Sequence, residues 1–414
     1  MITSLRGMQD LTGQRAAVFE RVVKCASQIA SRYGFEFCEL PKLEESGLFR
    51  RSVGESSDIV GKEMYEFLDK GGNSVCLRPE GTAGAVRAFV EAKFDRAGGV
   101  KRWFYYGSMF RYERPQKGRL REFHQFGVEC FGEASELEDV AVILMASEIL
   151  RELGIEANLK LNSLGTQESM RRYKAALDEF LSGSGEALCE DCQRRRSTNI
   201  IRVLDCKNES CQKVIANAPV ILDFLSDAER AEFERVCAVL KNAKIEFEID
   251  PHLVRGLDYY TKTAFEFQSS QIGAKSAVIG GGRYDGLVEC LGGRATAAVG
   301  WAMGVERICE ILALKECEKS GPDAFVCAMD AEFLDEAFLL AQGLRKEFKT
   351  QVSYEAKGAQ KLLAAADKLS AEWFVCLAAN EAKEGKVWVK NLRTQEQWRV
   401  AKDEISNLIL KERE

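Results

Sequence analysis

Only two histidines, His124 and His252, occur in the 414 residues. A metal site rich in imidazole ligands is therefore excluded. No apolar run approaches the roughly 20 residues that span a bilayer, and the N-terminal MITSLRGMQDLTGQ lacks the apolar core of a secretory leader. Internal repeats and low-complexity tracts are also missing. Positive charge is in deficit, with a formal net charge of -6. That balance argues against nonspecific binding of DNA, which rests on many phosphate contacts, but leaves room for a local basic patch. The expectation is a cytoplasmic protein with no membrane partner. With 46% hydrophobic and 29% charged residues the chain is ordinary for a globular protein. Its length allows a large core in two or three domains.

Cysteine is not scarce, at 14 residues, yet most sit singly in apolar segments, as Cys38, Cys76, Cys237, Cys309 and Cys376 do. There a free thiol behaves as a small hydrophobe, and without a leader a disulfide scaffold is not expected. The exception is CEDCQRRRSTNIIRVLDCKNESC, where Cys189, Cys192, Cys206 and Cys211 follow a C-x2-C, thirteen-residue, C-x4-C spacing. Four thiolates near two turns can form a tetrahedral structural zinc site. Reduced, metal-free thiols are the competing reading, because the second pair is spaced more widely than usual.

Apolar periodicity predicts helices over 14–33, over TAGAVRAFVEAKF and over 135–153, the last starting near Ser135 or Glu136 and stopping at Gly154. FEFCELP is strand-like up to Pro41 and is followed by a Gly/Ser-containing loop. MYEFLD and SVCLRPE read as a hairpin around Gly71 and Gly72. ANLKLNS, KIEFEID, AFEFQ and SAVIGGG have strand character, whereas 166–240 is mostly helical and charged. Small residues from 295 lead into the amphipathic helix MGVERICEILAL, and a charged linker at 315–322 follows. Beyond it strands alternate with helices at 332–348, at 358–369 and at the C-terminus, the pattern of a small α/β domain.

Against the acidic balance, MFRYERPQKGRLREFHQF concentrates Arg111, Arg114, Lys117, Arg119 and Arg121 between two aromatic, β-prone runs. A long antiparallel hairpin with a cationic tip is expected. Its cations are either a solvated surface or an anion site, since the guanidinium fork matches phosphate. In LRPEGTAGAVRA, Glu80 and Thr82 can bind an amine or cap the helix. In HLVRGLDYYTKTAFEF, Arg255, Asp258, Tyr259 and Tyr260 crowd a segment where a strand exposes only alternate side chains. Such a cluster is costly to bury unpaired. AVIGGGRYDGL has three glycines that permit close backbone approach to a ligand or form a bulge, without dinucleotide-binding spacing. In AVGWAMGVERI, Arg307 either meets the same anion or pairs with Glu306 or Glu310.

Taken in order, these segments resemble the class II aminoacyl-tRNA synthetases, and specifically histidyl-tRNA synthetases of the bacterial type. The resemblance spans essentially the whole chain. FRYERPQKGRLREFHQFGVE is similar to motif 2 of that class, AVGWAMGVERI to motif 3, and the helix and strand ending at Pro41 to motif 1. LVRGLDYY and GGGRYDGL are similar to the two histidine-specific motifs. The implied fold is an α+β class II catalytic domain, an antiparallel sheet flanked by helices, over 1–165 and 241–315. A helical insertion at 166–240 and a C-terminal α/β anticodon-binding domain at 323–414 complete it.

The resemblance implies ATP-dependent activation of L-histidine to histidyl-adenylate and its transfer to the 3′ end of histidine tRNA, by a homodimeric ligase using ATP with Mg²⁺. Arg255 would act as a catalytic cation with Arg111, which would hold the α-phosphate. Glu113, Arg119, Phe123 and Arg307 would bind the rest of ATP, with Phe123 stacking on adenine. Glu80, Thr82, Gln125, Glu129, Tyr259 and Tyr260 would line the histidine pocket. Gln116 and Arg121, with Lys117 beside them, would meet the tRNA acceptor end. The alternative is a non-catalytic, synthetase-like regulatory subunit of histidine biosynthesis.

Overall fold

Ten residues on each side of the basic stretch combine aromatic, branched and alternating polar side chains, and they pair as predicted. In a computed structural model describing residues 2–54, 57–116, 118–183, 187–271, 276–314 and 321–413, Lys101–Phe110 and Glu122–Phe131 form an antiparallel hairpin, with Tyr105 opposite Gly127 and Trp103 opposite Glu129. They become β5 and β6 once the earlier strands β1 (Glu36–Phe37), β2 (Leu43–Glu45), β3 (Tyr65–Leu68) and β4 (Ser74–Leu77) are numbered. The later strands of this part are β7 (Asn158–Ser163), β8 (Phe247–Ile249), β9 (Thr261–Ser269), β10 (Ser276–Arg283) and β11 (Ala298–Gly304). The described residues build an eight-stranded sheet in the order β1-β5-β6-β11-β10-β9-β7-β8. Only the outer pairs β1–β5 and β7–β8 are parallel.

Side chains alternate across a strand, and this sorts β6 cleanly. Phe126 turns to one face and packs against Phe104 and Trp301, with ring centroids 5.5 and 6.0 Å apart. The Trp301 indole N–H donates to the Val142 carbonyl of the helix Glu136–Glu152 at 2.9 Å. Phe123, Gln125 and Glu129 turn to the opposite face, which is the one that matters below. The helix Gly13–Arg32 buries Val18, Val22, Val23, Ala26, Ile29 and Ala30, a helical stripe. Its Phe19 meets the His124 ring edge-on at 4.8 Å. In Glu136–Glu152 the Ser135 hydroxyl accepts from the Leu137 amide, and Glu136, Glu138 and Asp139 complement the positive end of the helix dipole.

Several expectations need correction. The stretch after Pro41 is not only loop: Ser46–Val53 is a helix that buries Phe49 and Val53. FEFCELP contributes only two residues to the sheet. The small residues before Val305 form β11, covered along both edges by β6 and β10. Arg255 to Tyr260 occupy an irregular loop rather than a strand, so consecutive side chains need not alternate, and the Tyr259 and Tyr260 ring centroids lie 4.7 Å apart.

The segment 166–240 is helical as predicted, with helices Gln167–Ser182, Glu190–Thr198, Glu209–Ile215 and Asp227–Asn242. Its apolar cluster, including Leu177, Val203 and Ile215, continues onto Val254 and onto Ala264 of β9. Most of the predicted linker, 315–320, lies outside the described residues, as does Lys117.

The second compact unit, Cys317–Glu414, has a five-stranded sheet. Its strands are β12 (Ala324–Ala328), β13 (Thr350–Val352), β14 (Trp373–Leu377), β15 (Lys386–Asn391) and β16 (Gln397–Ala401). The order is β13-β12-β14-β15-β16, parallel in the first three and antiparallel after. Trp373, Val375 and Val389 pack against Ala337, Ala341, Ile405 and Ile409 of the flanking helices. The antiparallel strand β16 was not expected, because QWRVA is short and charged.

Candidate active site

Strands β6, β10 and β11, three loops and the starts of the helices Thr82–Glu91 and Val305–Ala313 surround a cavity of about 230 Å³. Glu80, Thr82, Arg111, Glu113, Arg119, Phe123, Gln125, Arg255, Tyr259, Tyr260 and Arg307 all line it. Residues from 80 to 307 are thus brought to one place, and they include every small-molecule contact expected from the sequence except Glu129.

Glu129 lies beneath the cavity floor and is fully buried. Three hydroxyls donate to its carboxylate: Thr82 at 2.7 Å, Tyr105 at 3.0 Å, and Tyr284 in a short bond. Burial pushes its carboxyl up to about 8; the hydroxyls of Tyr284 and Thr82 oppose the shift and the nearby Glu80 charge adds to it. A carboxylate offers about four lone-pair sites, so three hydroxyls leave room for one further donor. Gly300, opposite Glu129 in the sheet, makes this possible: a Cβ there would overlap the carboxylate.

Glu80 meets the capping reading. Its oxygens accept from the Thr82 and Ala83 amides at 2.7 and 2.8 Å, which caps the helix Thr82–Glu91, and the same buried carboxylate faces the cavity. Burial raises its carboxyl, against the two amide bonds.

Arg255 crosses the floor from the loop. Its guanidinium pairs with Glu266 of β9 and lies over Gly280 of β10, where a Cβ would collide with it. Close backbone approach at the glycine run therefore serves an arginine. The bulge reading also holds, since the β9–β10 register shifts between Gly282 and Arg283. Among the described residues, three buried polar atoms on this wall have no hydrogen-bond partner: Arg255 Nε, Gln125 Oε1 and the Tyr259 hydroxyl. Such atoms are costly to leave unmet, and here they converge on one cavity.

Two cations occupy the rim. Arg111 Nε donates to the Pro79 carbonyl at 2.9 Å, and its guanidinium sits 5.2 Å from the Phe123 ring centroid. Arg307 donates to the Gly118 carbonyl at 3.2 Å and to the Ala277 carbonyl. Burial, then the neighbouring Arg119 charge, lowers the Arg307 guanidinium from its ordinary value. The salt bridges considered for Arg307 do not form: Glu306 binds the backbone and ring of His124, at 2.8 and 2.6 Å, and Glu310 accepts from the Gly118 amide at 2.9 Å. Among the described residues neither Arg111 nor Arg307 has a carboxylate partner within 4.0 Å. Glu113 and Arg119 pair with each other at 3.1 Å.

At the hairpin tip Gln116 is exposed and bridges to Arg119 through the backbone. Arg121 is engaged by the protein itself, stacked 3.8 Å above the Tyr112 ring and bonded to the Glu113 carbonyl at 3.3 Å.

The profile of histidyl-tRNA synthetases matches residues 7–308, and that of an anticodon-binding domain matches 323–412. The chain belongs to the histidyl-tRNA synthetase family. It is 58% identical over 400 residues to a histidine–tRNA ligase from Campylobacter fetus subsp. fetus (strain 82-40), covering 97% of this chain and 98% of that protein. The apo histidyl-tRNA synthetase of S. aureus superposes with a TM-score of 0.81 at 32% identity, over 99% of this chain and all of that one. An ATP phosphoribosyltransferase regulatory subunit/histidyl-tRNA synthetase from Bacillus halodurans C shares the fold, with a TM-score of 0.66 at 20% identity over 92% and 99% of the two chains.

Within this member of the family, three residues behind the site were not singled out individually from the sequence. Tyr105 and Tyr284 hold Glu129, and Arg283 anchors the end of β10. Arg283 is buried, paired with Asp139 and bonded to the Glu133 and Ser135 carbonyls at 3.0 Å. The sole hint is the Arg-Tyr pair that ends the glycine run.

Proposed function

We propose that the protein activates L-histidine with ATP and transfers it to the 3′ end of histidine tRNA. The observation that carries this reading is the pair of buried carboxylates, Glu80 and Glu129, set behind unpartnered Gln125, Tyr259 and Arg255 atoms and beneath two arginines free of carboxylates. Glu80 is assigned to the α-ammonium. Glu129 and a tyrosine hydroxyl read the two imidazole nitrogens, supported by Thr82, Tyr260 and Gln125 along the wall. A site built for hydrogen bonds to a polar side chain rejects apolar amino acids strongly.

ATP, bound as its Mg²⁺ complex, is the second substrate. Arg111 is assigned to the α-phosphate, Arg307 to the γ-phosphate side, Glu113 and Arg119 to positioning the nucleotide, and Phe123 to adenine. Attack of the histidine carboxylate on the α-phosphorus expels pyrophosphate. Negative charge grows on the α-phosphate as it does so, and Arg255 and Arg111 stabilise that charge. No covalent enzyme intermediate is required.

The hairpin tip, with Gln116 and Arg121, is assigned to the acceptor end of tRNA, and the C-terminal unit to the anticodon. A homodimer follows from the motif 1 resemblance. For the four thiols of the helical segment the reading is a structural Zn²⁺ site. Amino-acid-dependent pyrophosphate exchange, run with each amino acid, tests the central claim: exchange with histidine alone is expected, and silence with every amino acid would favour the regulatory reading instead.

A further inference from the structure

In the helical segment Cys189, Cys192, Cys206 and Cys211 converge until all four sulfurs lie within 4.8 Å of one another. Cysteines that serve only as small hydrophobes have no reason to point at a common centre. The Cys189 and Cys206 sulfurs are 3.8 Å apart. A tetrahedral zinc with Zn–S bonds of about 2.3 Å places neighbouring sulfurs about 3.8 Å apart, whereas a disulfide needs about 2.05 Å. Backbone amides already point at two of the sulfurs: the Cys189 N–H at Cys211 Sγ, 3.2 Å, and the Asn208 N–H at Cys206 Sγ, 3.5 Å. Cys192, Cys206 and Cys211 are buried.

The thiols also close a loop, and the middle of that loop reaches the candidate active site. Between Cys192 and Cys206, the Asn199 side-chain amide donates to Asp258 at 2.7 Å. Arg195 and Arg202 pair with Asp58 at 3.4 and 3.7 Å. Asp258 adjoins Tyr259, and Asp58 adjoins Ile59; both neighbours line the cavity. Arg195, Asn199 and Arg202 thus hold two segments of the cavity lining from a single segment tied at both ends by thiols.

Resting on the zinc reading and on histidine activation, we infer that metal bound by the four thiols fixes the 193–205 segment against Asp58 and Asp258, and so sets the histidine affinity of the neighbouring pocket. The metal takes no part in the chemistry; removing it loosens the brace and raises the KM for histidine while kcat changes little.

The site is tested first by elemental analysis of the full-length protein purified under reducing conditions in zinc-containing medium. One zinc per chain is expected, replaceable by Co²⁺ with the absorption of tetrahedral cobalt thiolate, and lost in Cys211→Ser and Cys192→Ser. A zinc-free chain with four freely titrating thiols, or an iron–sulfur spectrum, would overturn the site whatever the activity. The brace is tested by pyrophosphate exchange. Asn199→Ala should keep its zinc and raise the KM for histidine about tenfold, as loss of one hydrogen bond to a charged group allows. Wild-type protein stripped of metal by a thiol reagent, with the thiols then restored, should show the same rise and recover when Zn²⁺ is returned. This arm holds even where the serine variants fail to fold. An unchanged KM in the stripped protein or in Asn199→Ala refutes the brace. Metal binding without exchange on any amino acid would count against the enzymatic reading alone.

Discussion

The Thr82 hydroxyl reaches across the fold to the carboxylate of Glu129, 2.7 Å away and 47 residues distant in sequence. The same residue begins the helix whose amides Glu80 caps, so one turn of backbone sets the spacing of the two buried carboxylates.

Glu129 makes stability depend on pH in a direction opposite to that of most carboxylates. Its carboxyl, near 4.5 when the chain is unfolded, is pushed to about 8 by burial. Between those values the native state holds a proton that the unfolded state has released. Its contribution is complete below the unfolded value and fades as pH rises to about 8, by up to about 1.4 kcal/mol per pH unit. Glu129→Gln cannot titrate, so denaturation midpoints measured from pH 5 to pH 8 should fall less steeply than those of wild type. Parallel curves would show that Glu129 ionises normally.

Gly280→Ala places a methyl group where the Arg255 guanidinium lies. The strand has no need of glycine there for its own conformation, so the fold should survive with a thermal midpoint close to wild type. Displacement of Arg255 should cut pyrophosphate exchange about 100-fold. Arg255→Ala should abolish it in an intact fold. Near-normal exchange in either variant would remove Arg255 from the chemistry.

Gln116 is exposed at the hairpin tip and does not line the cavity. Gln116→Ala should lower aminoacylation of histidine tRNA about tenfold, the size of one lost hydrogen bond, with histidine-dependent exchange nearly unchanged. Equal losses in the two assays would place Gln116 in the first step instead.

Arg283→Met strands Asp139, whose carboxylate is buried against the guanidinium. Leaving a buried charge without its partner costs about 3–5 kcal/mol, measurable by urea denaturation. Asp139→Asn combined with Arg283→Met should recover part of that loss. A double variant no more stable than the single one would mean that packing, not charge, is lost.

Much of this was legible because local chemistry and tertiary role coincide. The hairpin β5–β6 has β-prone residues on both sides of a Pro/Gly-containing turn, and Arg111, Arg255 and Arg307 are cations in otherwise apolar or small surroundings. What stayed hidden depends on partners far along the chain. Strand β11 reads as a run of small residues because Gly300 yields its side-chain space to Glu129 across the sheet. Tyr105 sits among four aromatic residues from Trp103 to Tyr106, and nothing local distinguishes the one whose hydroxyl turns to a carboxylate 24 residues away. The crowding at 255–260 is resolved by turns, with Asp258 directed to Asn199 in the helical segment.

The alternation along β6 ties specificity to folding accuracy. Phe123, Gln125 and Glu129 share one face, and His124, Phe126 and Val128 share the other. A slip of one residue against β5 would exchange the two sets, presenting aliphatic and aromatic groups to the cavity and burying a carboxylate in the core. Glu306, which grips both the backbone and the ring of His124, acts as a ratchet pawl against that slip. A chain that misreads its own register would lose this wall of the cavity, so the making of the site begins with the zipping of one hairpin.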